Sequence, residues 1–145
     1  MFFDIVVFIL VLGWLVFFHE LGHFLAAKLC GIYCDRFSIG MPPRLFGFKW
    51  GETDYCVGAL PIGGYVKMAG QEDVPKTEEE REKELGHIPK DRLFSSKPVW
   101  QRFFVIAAGP VMNLVLGILL YAIICVVGAY IPLSSVDNRI GLIED

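Results

Sequence analysis

His19, Glu20 and His23 stand in the order His-Glu-Leu-Gly-His inside an otherwise apolar stretch. On a helix, residues four apart share a face, so both imidazoles can be turned toward one metal ion. Neutral imidazole nitrogens suit Zn2+, and a single ion is the expected cofactor. Glu20 falls about 100° round the helix from His19, beside the two ligands but not stacked on them. A carboxylate there can take a proton from an attacking water and return it to a leaving amine. The pattern is that of a zinc hydrolase cutting peptide bonds. Its surroundings sharpen the reading. A charged group deep in a membrane helix costs at least about 2.5 kcal/mol, and three ionisable groups so close together need a metal, a wet cavity and one another to offset that cost.

A zinc hydrolase also needs a third protein ligand. Asp35, Glu52 and Asp54 are the carboxylates near enough in sequence to consider, with Glu52 29 residues beyond His23. The later apolar block offers no His, Asp or Glu. The expectation is therefore that the third ligand lies beyond Asp145 and that this chain is an incomplete enzyme.

The elements that must carry these groups follow from hydropathy. Of 145 residues, 54% are apolar and 20% charged, and the mean hydropathy is +0.53, against about 45–50% and about a quarter in soluble domains. No Asp, Glu, Lys, Arg or His occurs from Ile5 to Phe18 or from Phe103 to Val136. Runs of that kind match a bilayer span of about 20 residues. An ordinary soluble domain and a disulfide scaffold are excluded, and a net charge of −3 argues against a nucleic-acid partner. Cys30, Cys34, Cys56 and Cys125 match no paired-CxxC spacing and are read as unpaired thiols. An export signal fits the first apolar stretch badly, since nothing basic precedes it and no small-residue cleavage site follows, and a retained spanning helix is expected.

The expected fold is an integral membrane protein, mainly α, in which two transmembrane helices are joined by a cytoplasmic segment containing a small membrane-associated β-sheet. Residues 1–31 form the first helix, 32–70 a β-rich membrane-associated segment, and 71–92 a charged flexible loop. An interfacial segment and the second helix fill 93–133, and 134–145 begin an extracytoplasmic region. Strands are expected near Phe37–Ile39, Leu45–Lys49, Tyr55–Leu60 and Tyr65–Met68, with turns at Gly51-Glu52 and Pro61–Gly64. His87 reads as a surface histidine. Eleven of the 13 Lys and Arg lie between Arg36 and Arg102, which puts 32–102 in the cytoplasm and both ends of the chain on the other side.

Three stretches carry a resemblance. HELGHFLAAKLCGI at the end of the first span resembles the site-2 proteases, the intramembrane zinc metalloproteases. FSIGMPPRLFGF and YCVGALPIGGYVKMAG resemble the segment that follows in the bacterial regulator of sigma-E protease branch, and AAGPVMNLVLG is similar to that branch's Gly-Pro-x-x-Asn motif. Order and spacing agree from Val16 to about Val127. The resemblance implies a bacterial cytoplasmic-membrane protein with four spans, and a β-rich segment dipping into the membrane from the cytoplasm. It further implies cleavage of a transmembrane protein substrate such as an anti-sigma factor. Ser135–Asp145 would approach an outward-facing PDZ domain. His19, Glu20 and His23 match residue by residue as ligand, base and ligand, while the third ligand would be an Asp in a Leu-Asp-Gly motif on a later span.

Hydrolysis inside a bilayer requires an extended substrate, because helical carbonyls are locked in hydrogen bonds. The stretch Pro61–Met68 can offer an open strand edge to it, with Gly63 and Gly64 permitting close backbone approach beside Tyr65. An ordinary Gly-Gly hairpin turn is the alternative. Asn113, next to Pro110, can hydrogen-bond a substrate backbone or a developing oxyanion, or it can tie two helices together. Phe103, Phe104, Tyr121 and Tyr130 read as packing and interface anchors. Two other functions stay open. One is a membrane-tethered zincin acting on soluble peptides, with Glu52 or Asp54 as third ligand. The other is a non-catalytic membrane module.

Overall fold

A long stretch dominated by bulky apolar residues builds the first element, α1 (Phe2–Leu29), in a computed structural model that describes residues 1–71, 82 and 85–128. Its 28 residues extend roughly 42 Å at 1.5 Å per residue. The helix ends where Gly31 takes a φ of +67°. The Gly31 amide then donates to the Lys28 carbonyl and the Ile32 amide to the Ala27 carbonyl, which satisfies two of the carbonyls a helix end leaves bare. Ile32 is fully buried just past this cap, so the stop also fixes where the chain enters the core.

Two long strands follow, β1 (Cys34–Trp50) and β2 (Thr53–Met68), antiparallel and joined by a tight turn at Gly51-Glu52. Both bend, and Arg36–Ile39 is flanked by β2 on both sides. Gly64–Lys67 pairs along one edge and Asp54–Val57 along the other, and Asp54–Val57 pairs in turn with Phe46–Lys49. The four strands expected from sequence are present as four paired stretches of these two elements. The reversal expected at Pro61–Gly64 falls within β2: Val57 and Gly64 both pair with Ile39, and Asp54–Val57 and Gly64–Lys67 run in opposite directions along Arg36–Ile39. Pro61 cannot donate to a ladder, and Gly63 at φ +93° adopts a conformation that lets β2 double back.

After β2 the described chain resumes at residue 85 and passes through single 3-10 turns at Lys90–Arg92 and Phe94–Ser96. Helix α2 (Val99–Val127) then starts behind Pro98, whose carbonyl accepts the amides of Gln101 and Arg102. The end expected for this span at residue 133 lies outside the described residues, as do Tyr130, the 134–145 tail and most of the charged 71–92 loop. Both helices are long and apolar enough to cross a membrane.

Met1–Leu114 makes one compact unit. Its core gathers Phe24, Ala26 and Ala27 of α1, Cys34 and Phe37 of β1, Met68 of β2 and Val105 of α2. The core thus sits at the C-terminal half of α1 and leaves the N-terminal half exposed, including Phe2, Phe8 and Trp14. The remainder, Val115–Asp145, is a unit by itself. Its described part is the last stretch of α2, with Ile118, Tyr121 and Val126 exposed.

Glu52 fastens the hairpin tip to the rest of the first unit. Its carboxylate accepts from Lys28 at the end of α1 and, in two-pronged fashion, from both terminal nitrogens of Arg92 at 2.7 and 2.8 Å. The Arg92 guanidinium foremost, and Lys28 with it, hold the Glu52 carboxyl down at about 2. Arg92 also lies over the Tyr33 ring, 5.4 Å from its centroid. All four cysteines are free, and burial pushes the Cys34 thiol up to about 11.

Candidate metal centre

Helical spacing turns His19 and His23 to the same side of α1, where their rings meet edge to face with centroids 4.8 Å apart. Their Nε2 atoms are 3.2 Å from each other. Two nitrogens bound to one tetrahedral zinc at 2.0–2.1 Å would stand about 3.3 Å apart, so the pair as found fits that ion. Each ring is held from behind by α2. His23 Nδ1 lies 2.7 Å from the Val105 carbonyl oxygen, an acceptor only, so Nδ1 carries the proton and Nε2 presents its lone pair. His19 Nδ1 lies 3.4 Å from Asn113 Nδ2. Such partners on the far nitrogen fix ring orientation in metal sites.

The two helices can approach this closely because small residues line their contact. A Cβ on Gly22 would overlap the Ala108 carbonyl oxygen and stand 2.9 Å from Met112 Cβ. A Cβ on Gly109 would overlap His23 Nε2 and stand 2.9 Å from His19 Nε2. Only a glycine at 109 lets α2 lie this close to both nitrogens. Neither Gly109 nor Val105 was singled out from sequence, although the small run Ala107-Ala108-Gly109 ahead of Pro110 is the signal that marks such a contact.

Glu20 opens onto a cleft of about 340 Å³ that it shares with His23, Tyr65, Val66, Gln71 and Ile106. The edge of β2 runs along this cleft. A Cβ on Gly64 would stand 3.2 Å from Glu20 Cγ and 2.9 Å from the Ser38 carbonyl oxygen. Tyr65 lines the same cleft, and its hydroxyl accepts from Arg36 at 3.4 Å. Gly63 is placed differently. It borders a separate apolar cavity of about 410 Å³ with Trp14, Phe17, Ile39 and Gly40. The fold therefore brings together His19, Glu20, His23, Gly64, Tyr65 and Asn113, and leaves Gly63 one step away.

The carboxylates considered as third ligand are engaged elsewhere. Glu52 is held by Lys28 and Arg92, Asp54 by Arg36 and Arg44, and Asp35 by Lys67. Among the described residues no group of three His, Cys, Asp or Glu side chains is placed to hold a metal. Among the described residues Glu52 and Asp54 are therefore not grouped with His19 and His23, and nothing there supports the zincin arrangement.

Comparison with known proteins gives a consistent result. The profile of peptidase family M50 matches residues 7–140. The chain is 44% identical over 127 residues to a provisionally named zinc metalloprotease of Clostridium acetobutylicum, covering 88% of this chain and 33% of that protein. It is 31% identical to the regulator of sigma-W protease RasP of Bacillus subtilis, covering 97% and 49%. It is 40% identical to the metalloprotease MmpA of Caulobacter vibrioides, covering 80% and 32%. The chain spans about a third to a half of the length of these relatives.

Proposed function

The chain belongs to peptidase family M50, and from that membership we propose that it supplies the catalytic helix pair of a zinc-dependent endopeptidase that cuts its substrate within a membrane. The observation that carries the reading is the convergence of His19 Nε2 and His23 Nε2, 3.2 Å apart, beside Gly109, where any side chain would overlap them. His19 and His23 are its two ligands here, and the third comes from residues other than those described. When bound, zinc supplies a Lewis acid and a water nucleophile near neutral pH.

This chain's own residues do the rest. Glu20, in the cleft beside His23, takes the proton of the attacking water and delivers it to the departing amine. Gly64 and Tyr65, on the edge of β2 that borders the cleft, receive the substrate as an added strand. That geometry keeps its peptide groups paired while its own helix is undone. The apolar helices hold the centre within the lipid bilayer, with 32–102 on the cytoplasmic side of a bacterial inner membrane and both ends of the chain outside. The substrate is a transmembrane protein, of which an anti-sigma factor is one kind; the name of the sigma-W regulator relative supports this class.

The test compares full-length wild-type protein with Glu20→Gln and His23→Ala, measuring zinc content and cleavage of a transmembrane reporter. Glu20→Gln is expected to keep zinc and lose cleavage by about 10²–10⁴-fold, the usual worth of a general base. His23→Ala is expected to lose both. Wild-type protein without zinc, or a Glu20→Gln variant cutting at the wild-type rate, overturns the proposal.

A further inference from the structure

The cavity that Gly63 borders takes no part in the hydrolytic chemistry. It measures about 410 Å³, and every residue lining it is apolar, with Gly13, Trp14 and Phe17 of α1 on one side and Ile39, Val57 and Gly63 of the sheet on the other. The aromatic wall is braced. Phe17 meets Trp14 and Phe37 edge to face, with ring centroids 6.2 and 6.1 Å away. The helix leaves space at Gly13, where an added Cβ would meet nothing within 4 Å. Unlike Gly22 and Gly109, this glycine does not serve the close approach of another element. Its missing side chain enlarges the cavity.

The position of the cavity relative to Glu20 gives it a use. β2 runs beside α1 here: a Cβ on Gly64 would stand 3.5 Å from Val16 Cγ1 and 3.2 Å from Glu20 Cγ, while Pro61 and Gly63 border the cavity together with Leu10 and Trp14. Phe17 and Trp14 precede Glu20 by three and six residues, roughly 4.5 and 9 Å along the helix axis. An extended chain advances about 3.3 Å per residue. A substrate that follows the β2 edge, with its scissile bond at Glu20, therefore brings a side chain to the cavity two or three residues from the cut. In strand addition the main chain supplies affinity, and pockets for alternate side chains supply specificity. We propose that this cavity is a subsite for one large apolar side chain of the substrate, such as leucine or phenylalanine, on the side of the cut that runs toward the N-terminal end of α1. The proposal rests on the reading of the chain as a peptidase that takes its substrate along β2. Lipid tails are as apolar as these walls. The preference therefore arises from packing against fixed aromatic rings and from the rejection of side chains that would bury an unpaired polar group.

Two measurements on the full-length protein in detergent micelles test it. The first compares transmembrane reporters that carry leucine or alanine at each position two or three residues from the cut. At one of these positions wild type is expected to favour leucine in kcat/KM by about 10-fold, the lower end of what an apolar pocket discriminates. Gly13→Leu puts a side chain into the cavity without a clash at Cβ, and it is expected to lose that preference while keeping its zinc. No preference in wild type, or one unchanged in Gly13→Leu, overturns the proposal. The second measurement needs no turnover. A synthetic transmembrane peptide carrying a diazirine analogue of leucine at successive positions is irradiated with the Glu20→Gln protein, and the cross-links are mapped by mass spectrometry. One position is expected to label Trp14 or Phe17, and Gly13→Leu is expected to abolish that label. Labelling that misses the cavity walls, or that spreads evenly along α1, overturns the proposal. Wild-type protein that cuts none of the reporters overturns the proposed function instead, while the cross-links still decide whether the cavity receives a side chain of the peptide.

Discussion

Gly109 of α2 lies directly against the His23 ring: a single methyl group on Gly109 would overlap Nε2 and stand 2.6 Å from Cε1. The contact is between a backbone and an imidazole ring, so neither side can yield by rotating a flexible chain end. It joins two positions far apart in sequence into one wall of the centre.

Gly109→Ala is therefore expected to abolish or weaken zinc binding by at least about 100-fold, the upper range for changes in the supporting groups of a metal site. Alanine favours the helical conformation, so α2 itself should form. The check pairs zinc stoichiometry with circular dichroism. Full zinc occupancy in a folded Gly109→Ala protein would contradict the close contact.

Gly64→Ala probes the strand edge beside the base. The added Cβ would stand 2.9 Å from the Ser38 carbonyl oxygen and 3.2 Å from Glu20 Cγ, forcing the edge away from α1. Misplacement of about 1 Å can cost about 10²-fold in rate. Cleavage of a transmembrane reporter should fall by at least about 10-fold, with zinc content unchanged because neither histidine is touched. Steady-state kinetics alongside metal analysis separate the two effects.

Glu52 predicts a pH dependence of stability. Its carboxyl is held at about 2 in place of 4.5 by Arg92 and Lys28, so the folded state favours the charged form. The stabilisation is complete above about 4.5 and is lost as the pH falls from there toward 2. Thermal melting of wild type should decline through that window, and Glu52→Gln should flatten the decline. At neutral pH Glu52→Gln should cost about 1 kcal/mol, given that the site is partly open to solvent. Zinc content should survive, since Glu52 clasps the hairpin tip and does not face the histidines.

Much of this molecule was legible before any fold was known. The two helices follow from unbroken apolar runs, and local spacing alone puts His19 and His23 on one face with Glu20 beside them, because a helix repeats every 3.6 residues whatever surrounds it. The strand regions were legible for the same reason: β-branched and aromatic residues between Gly and Pro favour extended chain. The tight turn at Gly51-Glu52 was equally readable, since its signal is local.

What only the tertiary structure decided depends on contacts between distant residues. Which stretches flank Arg36–Ile39 is one example: pairing puts Asp54–Val57 on one side and Gly64–Lys67 on the other, a choice made between residues far apart in sequence. Glu52 was a candidate ligand by spacing, but the fold pairs it with Lys28 and Arg92. Gly109, Val105 and the place of Asn113 behind His19 could not be read from the chain, because they arise where α2 crosses α1, and one sequence carries no record of which faces meet. Chemistry that one helical turn can arrange was written in the order of residues. The support that turns two imidazoles into a centre comes from the other helix, and only folding brings it there.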